Sequence, residues 1–209
     1  MAPTARSAEP ATATVDTARG PARVHLHETP AMTGAVVLGH GAGGGVAAPD
    51  LRAATAAALD AGFAVALVEQ PYRVAGRRSP APAHHLDEAW TAVVAHLRAG
   101  ALAGLPLVTG GRSSGARVAC RTAAATGAAG VLCLAFPVHP PGAPQKTRLA
   151  ELDAVGVPVL VVQGDRDPFG MPPAAPGREV VAVPGNHSLR GQAAAVTAAV
   201  GAWLERLAT

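Results

Sequence analysis

The chain has 209 residues, which is enough for one domain with a full hydrophobic core. Hydrophobic residues make up 49% of it and charged residues only 15%, which excludes a disordered or coiled-coil protein. The net charge of +3 is small and is spread along the chain, apart from Arg73, Arg77 and Arg78, so a nucleic-acid partner is not expected.

Residues 1–22 consist mainly of Ala, Thr, Pro and Arg without periodicity, and we expect a disordered leader there. A single domain over residues 23–209 is predicted to follow, in which short apolar segments alternate with helical ones. Apolar strands separated by helices indicate an α/β fold with a mostly parallel sheet, helices on both faces and no room for a large lid. The predicted strands are 24–27, 34–39, 63–68, 105–110, 130–136, 157–162 and 179–183, and the predicted helices are 49–60, 84–99, 116–125, 146–155 and 189–207.

A pentapeptide of the pattern Gly-x-Ser-x-Gly, Gly111-Arg-Ser-Ser-Gly115, joins a predicted strand to a predicted helix. In that context the pattern is typical of a nucleophile elbow, a tight turn that lifts the serine hydroxyl above the sheet. Gly111 and Gly115 meet the need for residues almost without side chains on both sides of Ser113. The alternative is that Ser113 only caps the helix, a position that serine favours.

Two polar segments follow later strands, in the order in which α/β-hydrolases place an acid and then a histidine. Gln-Gly-Asp-Arg-Asp-Pro occupies 163–168 and Pro-Gly-Asn-His-Ser occupies 184–188. Because ligands of open α/β sheets bind at the carboxyl ends of strands, we expect Ser113, Asp167 and His187 to meet there. Alone, Asp167 also fits a turn before a proline, and His187 also fits a surface loop.

Asp165 and Asp167 compete for the role of the acid. Asp165 directly follows Gly164, where a short acceptor side chain commonly caps the amides of its own turn. Asp167 lies further beyond the strand, and Pro168 restricts its backbone to an extended conformation. We therefore expect Asp167 to serve His187, with Asp165 as the alternative.

A glycine-rich segment, Leu-Gly-His-Gly-Ala-Gly-Gly-Gly at 38–45, follows the second predicted strand. Its glycines would let the amide of Ala42 or Gly43 point at a substrate oxygen. The amide of Ser114 would supply the second donor of this oxyanion hole.

The same segment also fits the Gly-x-Gly-x-x-Gly pattern of a dinucleotide site, with Glu69 near the spacing of a ribose-binding acid. In such a site the motif opens directly into a helix, whereas residues 46–49 intervene here. This alternative also leaves Ser113, Asp167 and His187 without a role, and the oxyanion interpretation is preferred.

These segments resemble those of small α/β-hydrolases without a cap domain. The chain is most similar to the dienelactone-hydrolase-like branch, which includes bacterial homologues of testis-expressed protein 30. The resemblance spans residues from about 35 to 190. It rests on Leu38–Gly44, Glu69–Arg78, Gly110–Arg117, Ala135–Gly142, Gln163–Phe169 and Gly185–Ser188.

The resemblance implies acyl transfer to water on a small ester or thioester, without a metal or organic cofactor. His187 would take the proton of Ser113, and Asp167 would hold the imidazole tautomer. Because dienelactone hydrolases proper use a cysteine nucleophile, the serine sets this chain apart from them. Two further departures are Ser114, where methionine often follows the nucleophile, and Asn186, where an acidic residue often precedes the base.

Arg73, Arg77 and Arg78 follow the strand at 63–68 and are candidates for binding a substrate carboxylate, which guanidinium groups bind bidentately. The alternative is a solvated basic loop. For the whole domain the alternative to an enzyme is a non-catalytic scaffold that serves as a protein-interaction module.

Only two cysteines are present, Cys120 and Cys133, both among apolar residues, and we expect buried thiols rather than a disulfide framework or a zinc site. The first residues lack the apolar core of a secretory signal, and no run approaches the about 18 apolar residues of a membrane span. The expected protein is cytoplasmic and has no membrane partner. Its oligomeric state is not indicated by the sequence.

Overall fold

The structure is a computed structural model, and it describes residues 9–208. Eight strands form one sheet: β1 (Ala11–Thr17), β2 (Gly20–His27), β3 (Gly34–Gly39), β4 (Phe63–Glu69), β5 (Leu107–Arg112), β6 (Gly130–Leu134), β7 (Val159–Gly164) and β8 (Arg178–Val183). Their order in the sheet is β1-β2-β4-β3-β5-β6-β7-β8. The strands β3 to β8 run parallel, whereas β1 and β2 pair in antiparallel fashion. The predicted, mostly parallel sheet is confirmed.

In the described part of the chain, six helices accompany the sheet: α1 (Pro49–Asp60), α2 (Pro71–Val74), α3 (Ala83–Ala99), α4 (Ser114–Thr126), α5 (Leu149–Asp153) and α6 (Ala193–Leu207). Alternate residues of β3 face opposite layers, since Val36 and Leu38 pack with α1 and α6, whereas Ala35 and Val37 pack with α3. The helices α4 and α5 pack with residues of β6 and β7 on the same side as α3. Both faces are therefore covered, as the apolar strands predicted, and the loops that follow the parallel strands lie at one end of the sheet.

The expectation of a disordered leader over residues 1–22 is wrong for its second half. Residues 11–17 form β1, which pairs along its full length with β2 in a hairpin that turns between Thr17 and Gly20. Most of β1 is exposed, with Val15 as its one buried residue. An edge strand with a solvated face needs few apolar residues. The Ala and Thr composition of β1 therefore gave no strand signal in the sequence. Residues 1–8 lie outside the described part of the chain.

Cys120 of α4 and Cys133 of β6 are both buried, and their Sγ atoms lie 3.5 Å apart as free thiols. The contact with Cys120, together with burial, raises the pKa of Cys133 well above its ordinary value. Both side chains therefore behave as small apolar groups of the core. Among the helices of residues 9–208, none combines the length and apolarity that crossing a membrane requires.

Candidate active site

Ser113 forms the turn between β5 and α4, with a φ of 52° that side-chain-bearing residues rarely adopt. This turn packs directly against the end of β3. A Cβ atom on either Gly111 or Gly115 would collide with the carbonyl oxygen of Gly39. The two glycines of the pentapeptide are thus required by the close approach of a neighbouring strand.

His187, on the loop after β8, lies between Ser113 and Asp167. Its Nε2 atom is 2.9 Å from Oγ of Ser113, and its Nδ1 atom is 2.8 Å from Oδ2 of Asp167. The Asp167 side chain is fully buried and the imidazole is 17% exposed. With Nδ1–H donated to the carboxylate, Nε2 is left as an acceptor for the serine hydroxyl. The structure therefore brings together the three side chains that the sequence singled out.

The carboxylate of Asp167 is held by donors on both oxygens. The buried amide Nε2 of Gln163 donates to Oδ2 at 2.9 Å, and the backbone N–H of Phe169 donates to Oδ1 at 2.9 Å. The Phe169 ring also meets the imidazole of His187 edge-on, with centroids 4.4 Å apart. No role for Gln163 was predicted from the sequence, although an amide side chain at the end of an apolar strand was a visible signal.

Asp165 has a different partner. One of its oxygens accepts a hydrogen bond of 2.8 Å from the amide of Gly185, on the histidine loop. The two loops approach so closely that a Cβ on Gly164 would lie 2.6 Å from the carbonyl oxygen of Asn186. Asp165 therefore joins the two loops, while Asp167 contacts the imidazole.

Arg112, the second residue of the pentapeptide, links the serine turn to two other elements. Its Nε atom lies 2.8 Å from Oδ2 of Asp50 in α1, and its guanidinium donates to the carbonyl oxygen of His187 at 3.1 Å. The Asp50 side chain is fully buried. Burial raises the pKa of Asp50, and the positive charge of Arg112 opposes that shift. Neither residue was singled out from the sequence, because the reach of a long side chain depends on the tertiary fold.

The glycine-rich loop after β3 brings Ala42 to the cavity that contains Ser113 and Ser114, whereas Gly43 does not line that cavity. Within residues 9–208 the amides of Ala42 and Ser114 donate no hydrogen bond. Ser114 is also the first residue of α4, where unsatisfied amides and the helix dipole favour negative charge. Both amides are available to an oxygen bound beside Ser113.

Two side chains fix this loop. The buried His40 donates from Nδ1 to the carbonyl oxygen of Gly41 at 2.8 Å and accepts at Nε2 from the amide of Gln70 at 3.1 Å. Tyr72, in α2, donates its hydroxyl to the carbonyl oxygen of Ala42 at 2.9 Å. Burial lowers the pKa of His40 and raises the pKa of Tyr72 to about 12, so both act as neutral groups.

The cavity beside Ser113 has a volume of about 310 Å³ and is lined by three prolines, Phe169 and two arginines, Arg117 and Arg148. The three arginines proposed from the sequence do not line it. Arg73 donates to the carbonyl oxygen of Arg77, Arg77 lines a separate pocket beside α3, and Arg78 is exposed. In the described part of the chain, no group of three or more His, Cys, Asp or Glu side chains is arranged to hold a metal ion.

Comparisons with known proteins agree with this architecture. Residues 32–190 match the family model described as an alpha/beta hydrolase domain. A serine hydrolase without a lid from Xanthomonas campestris superposes with a TM-score of 0.79 at 22% identity, covering 95% of this chain and 94% of that one. The esterase Pf2001 of Pyrococcus furiosus gives 0.77 at 15% identity, with 95% and 90% covered. A dienelactone hydrolase from Anabaena variabilis gives 0.73 at 19% identity, with 95% and 99% covered. No curated protein sequence matches the chain.

Proposed function

The chain belongs to the alpha/beta hydrolase domain family, and on that basis we propose that it is a serine hydrolase that cleaves small esters or thioesters. The observation that carries this proposal is the hydrogen-bonded series from Ser113 through His187 to Asp167. A serine that only capped a helix would not need a strained backbone or a buried carboxylate behind its histidine partner.

The proposed reaction proceeds in two halves. His187 takes the hydroxyl proton as Oγ of Ser113 attacks the acyl carbon, and Asp167 stabilises the imidazolium through Nδ1–H. The tetrahedral oxyanion accepts from the amides of Ala42 and Ser114. The intermediate then expels the alcohol or thiol, which His187 protonates, and water attacks the acyl-enzyme by the same route.

The size of the cavity limits the acyl group, since about 310 Å³ is at the small end of ligand sites. Short acyl chains are therefore the expected substrates. The finer placement near dienelactone hydrolases and bacterial homologues of testis-expressed protein 30 stays a prediction, as does the preference between ester and thioester.

A fluorophosphonate probe, which reacts with activated serines, tests the proposal. We expect the wild type to be labelled and to hydrolyse nitrophenyl esters of short acids. Ser113→Ala should lose both activities, turnover by a factor on the order of a thousand or more. Ser79→Ala, at an exposed loop serine, is the matched control and should retain both. A folded wild type without labelling or turnover would instead favour a non-catalytic scaffold that binds other proteins.

A further inference from the structure

The cavity beside Ser113 contains one arginine, Arg148, whose guanidinium has no hydrogen-bonded partner in the described part of the chain. Arg117 donates two hydrogen bonds to Glu151, of 2.8 and 2.6 Å. Arg121 donates two to Asp87 and one to Glu151. Within residues 9–208 the guanidinium of Arg148, by contrast, forms neither a hydrogen bond nor an ion pair.

The local charges do not balance. Arg117, Arg121 and Arg148 face two carboxylates, Asp87 and Glu151, both of which are already engaged. Burial and the nearby charge of Arg117 lower the pKa of Arg148 and Glu151 opposes this shift, although a guanidinium stays protonated in proteins. Glu151, the carboxylate whose charge acts on Arg148, already pairs with Arg117 and Arg121. It therefore offsets this half-buried cation only in part, and an anion entering the cavity would be stabilised there.

The position of Arg148 is fixed by the fold. Its backbone N–H donates to the carbonyl oxygen of Val138 at 2.7 Å, which closes the loop that follows β6. The helix α5 begins at the next residue. Arg148 is therefore a built part of the cavity wall rather than a side chain on a free loop tip.

We propose that Arg148 binds a carboxylate on the acyl part of the substrate, so that the substrate is the half-ester or half-thioester of a short dicarboxylic acid. This inference rests on the proposed function of Ser113. Water would add to the acyl carbon, and the dicarboxylic acid and an alcohol or thiol would be released. Carboxylate is the preferred anion because a guanidinium fork binds its two oxygens with two parallel hydrogen bonds.

The cavity dimensions agree with a short spacer between the two groups. Ser113 and Arg148 line the same space of about 310 Å³, together with Phe169 and prolines that offer apolar contact to a methylene chain. A neutral acyl group of equal length would fill this space but leave the cation without a partner. The selectivity is therefore expected in binding and in kcat/KM.

The test compares two 4-nitrophenyl esters of the same six-carbon diacid, mono-4-nitrophenyl adipate and its neutral methyl ester. We expect wild-type kcat/KM to be at least about tenfold higher for the anionic ester. In Arg148→Gln this preference should disappear, chiefly through a higher KM for the anionic ester. Arg52→Gln, at an exposed arginine of α1, removes the same charge elsewhere and should keep the preference.

A second measurement needs no variant. Free adipate should inhibit the wild type competitively, and neutral adipamide, which has the same shape but no ester bond, should not. Equal kcat/KM for the two esters, or an unchanged preference in a folded Arg148→Gln, would overturn the assignment of Arg148 while leaving the hydrolase intact. If the wild type cleaves neither ester and the fluorophosphonate probe does not label Ser113, the proposed function itself fails.

Discussion

Arg112 and Asp50 form an ion pair of 2.8 Å, and the same guanidinium donates to the backbone carbonyl of His187. One side chain thereby joins the serine turn, the first helix and the histidine loop. Since the pair is buried on the Asp50 side, it holds the serine turn against the histidine loop through the backbone carbonyl of His187.

Replacing Arg112 by methionine should both destabilise the fold and slow the reaction. Loss of one partner leaves a buried carboxylate uncompensated, which costs about 3–5 kcal/mol of unfolding free energy. Without the hydrogen bond from Arg112 to its carbonyl oxygen, His187 should be held less firmly beside Ser113. The value of kcat should therefore fall by a larger factor than KM rises. Urea denaturation and steady-state kinetics measure the two effects.

The double variant Asp50→Asn with Arg112→Met is the control for this prediction. It removes the uncompensated charge and should recover part of the stability, but not the turnover, because the contact with the histidine loop is still missing. Full recovery of kcat in the double variant would show that Arg112 has only a structural role.

Asp167→Asn should lower turnover by a factor on the order of a thousand or more, with a small loss of stability. Both carboxylate oxygens accept hydrogen bonds, from His187 and Gln163 on one side and from the amide of Phe169 on the other. An amide must point its NH2 group at one of these donors, whichever way it is turned.

Asp165→Asn is the matched variant, since it keeps an oxygen that can accept from the amide of Gly185. We expect its turnover to stay near that of the wild type, with a slightly lower melting temperature. A larger loss of turnover in a folded Asp165→Asn than in Asp167→Asn would require the two roles to be exchanged.

His40 should make stability sensitive to mild acid. Burial lowers its pKa in the folded state, so the unfolded chain binds the proton more tightly. Above the unfolded-state pKa of about 6.5, His40 is neutral in both states and its ionisation does not affect stability. As the pH falls below that value, the free energy of unfolding decreases. We expect the free energy of unfolding to decrease between about pH 7 and about pH 5.

His40→Gln supplies an oxygen that can accept from the amide of Gln70 without titrating. Its unfolding free energy, measured by urea denaturation across the same range, should fall less steeply than that of the wild type. Because His27, whose pKa is also lowered by burial, is present in both proteins, its effect cancels in the comparison. Identical pH profiles would contradict the role assigned to His40.

Local sequence patterns were sufficient for the parallel strands and for the placement of Ser113, Asp167 and His187, because each depends on its own strand and turn. They were insufficient wherever a distant contact decides the outcome. The polar β1 is a strand only because β2 pairs with it. Arg148 reaches the cavity and Arg73 does not. The difference depends on the courses of the segments that follow β6 and β4, which no local pattern specifies.

The contact of Gly111 and Gly115 with the Gly39 carbonyl bears on how this protein could be re-engineered. No side chain can be inserted between the serine turn and the start of the glycine-rich loop. Mutations there would therefore destabilise the fold before they changed the selectivity for a substrate. The segment 137–148 carries Arg148 on its last residue, and a Cβ added to its Gly142 would meet no atom within 4 Å. A library of variants in this segment would change which acyl groups the cavity accepts, while Ser113, His187 and Asp167 keep their geometry.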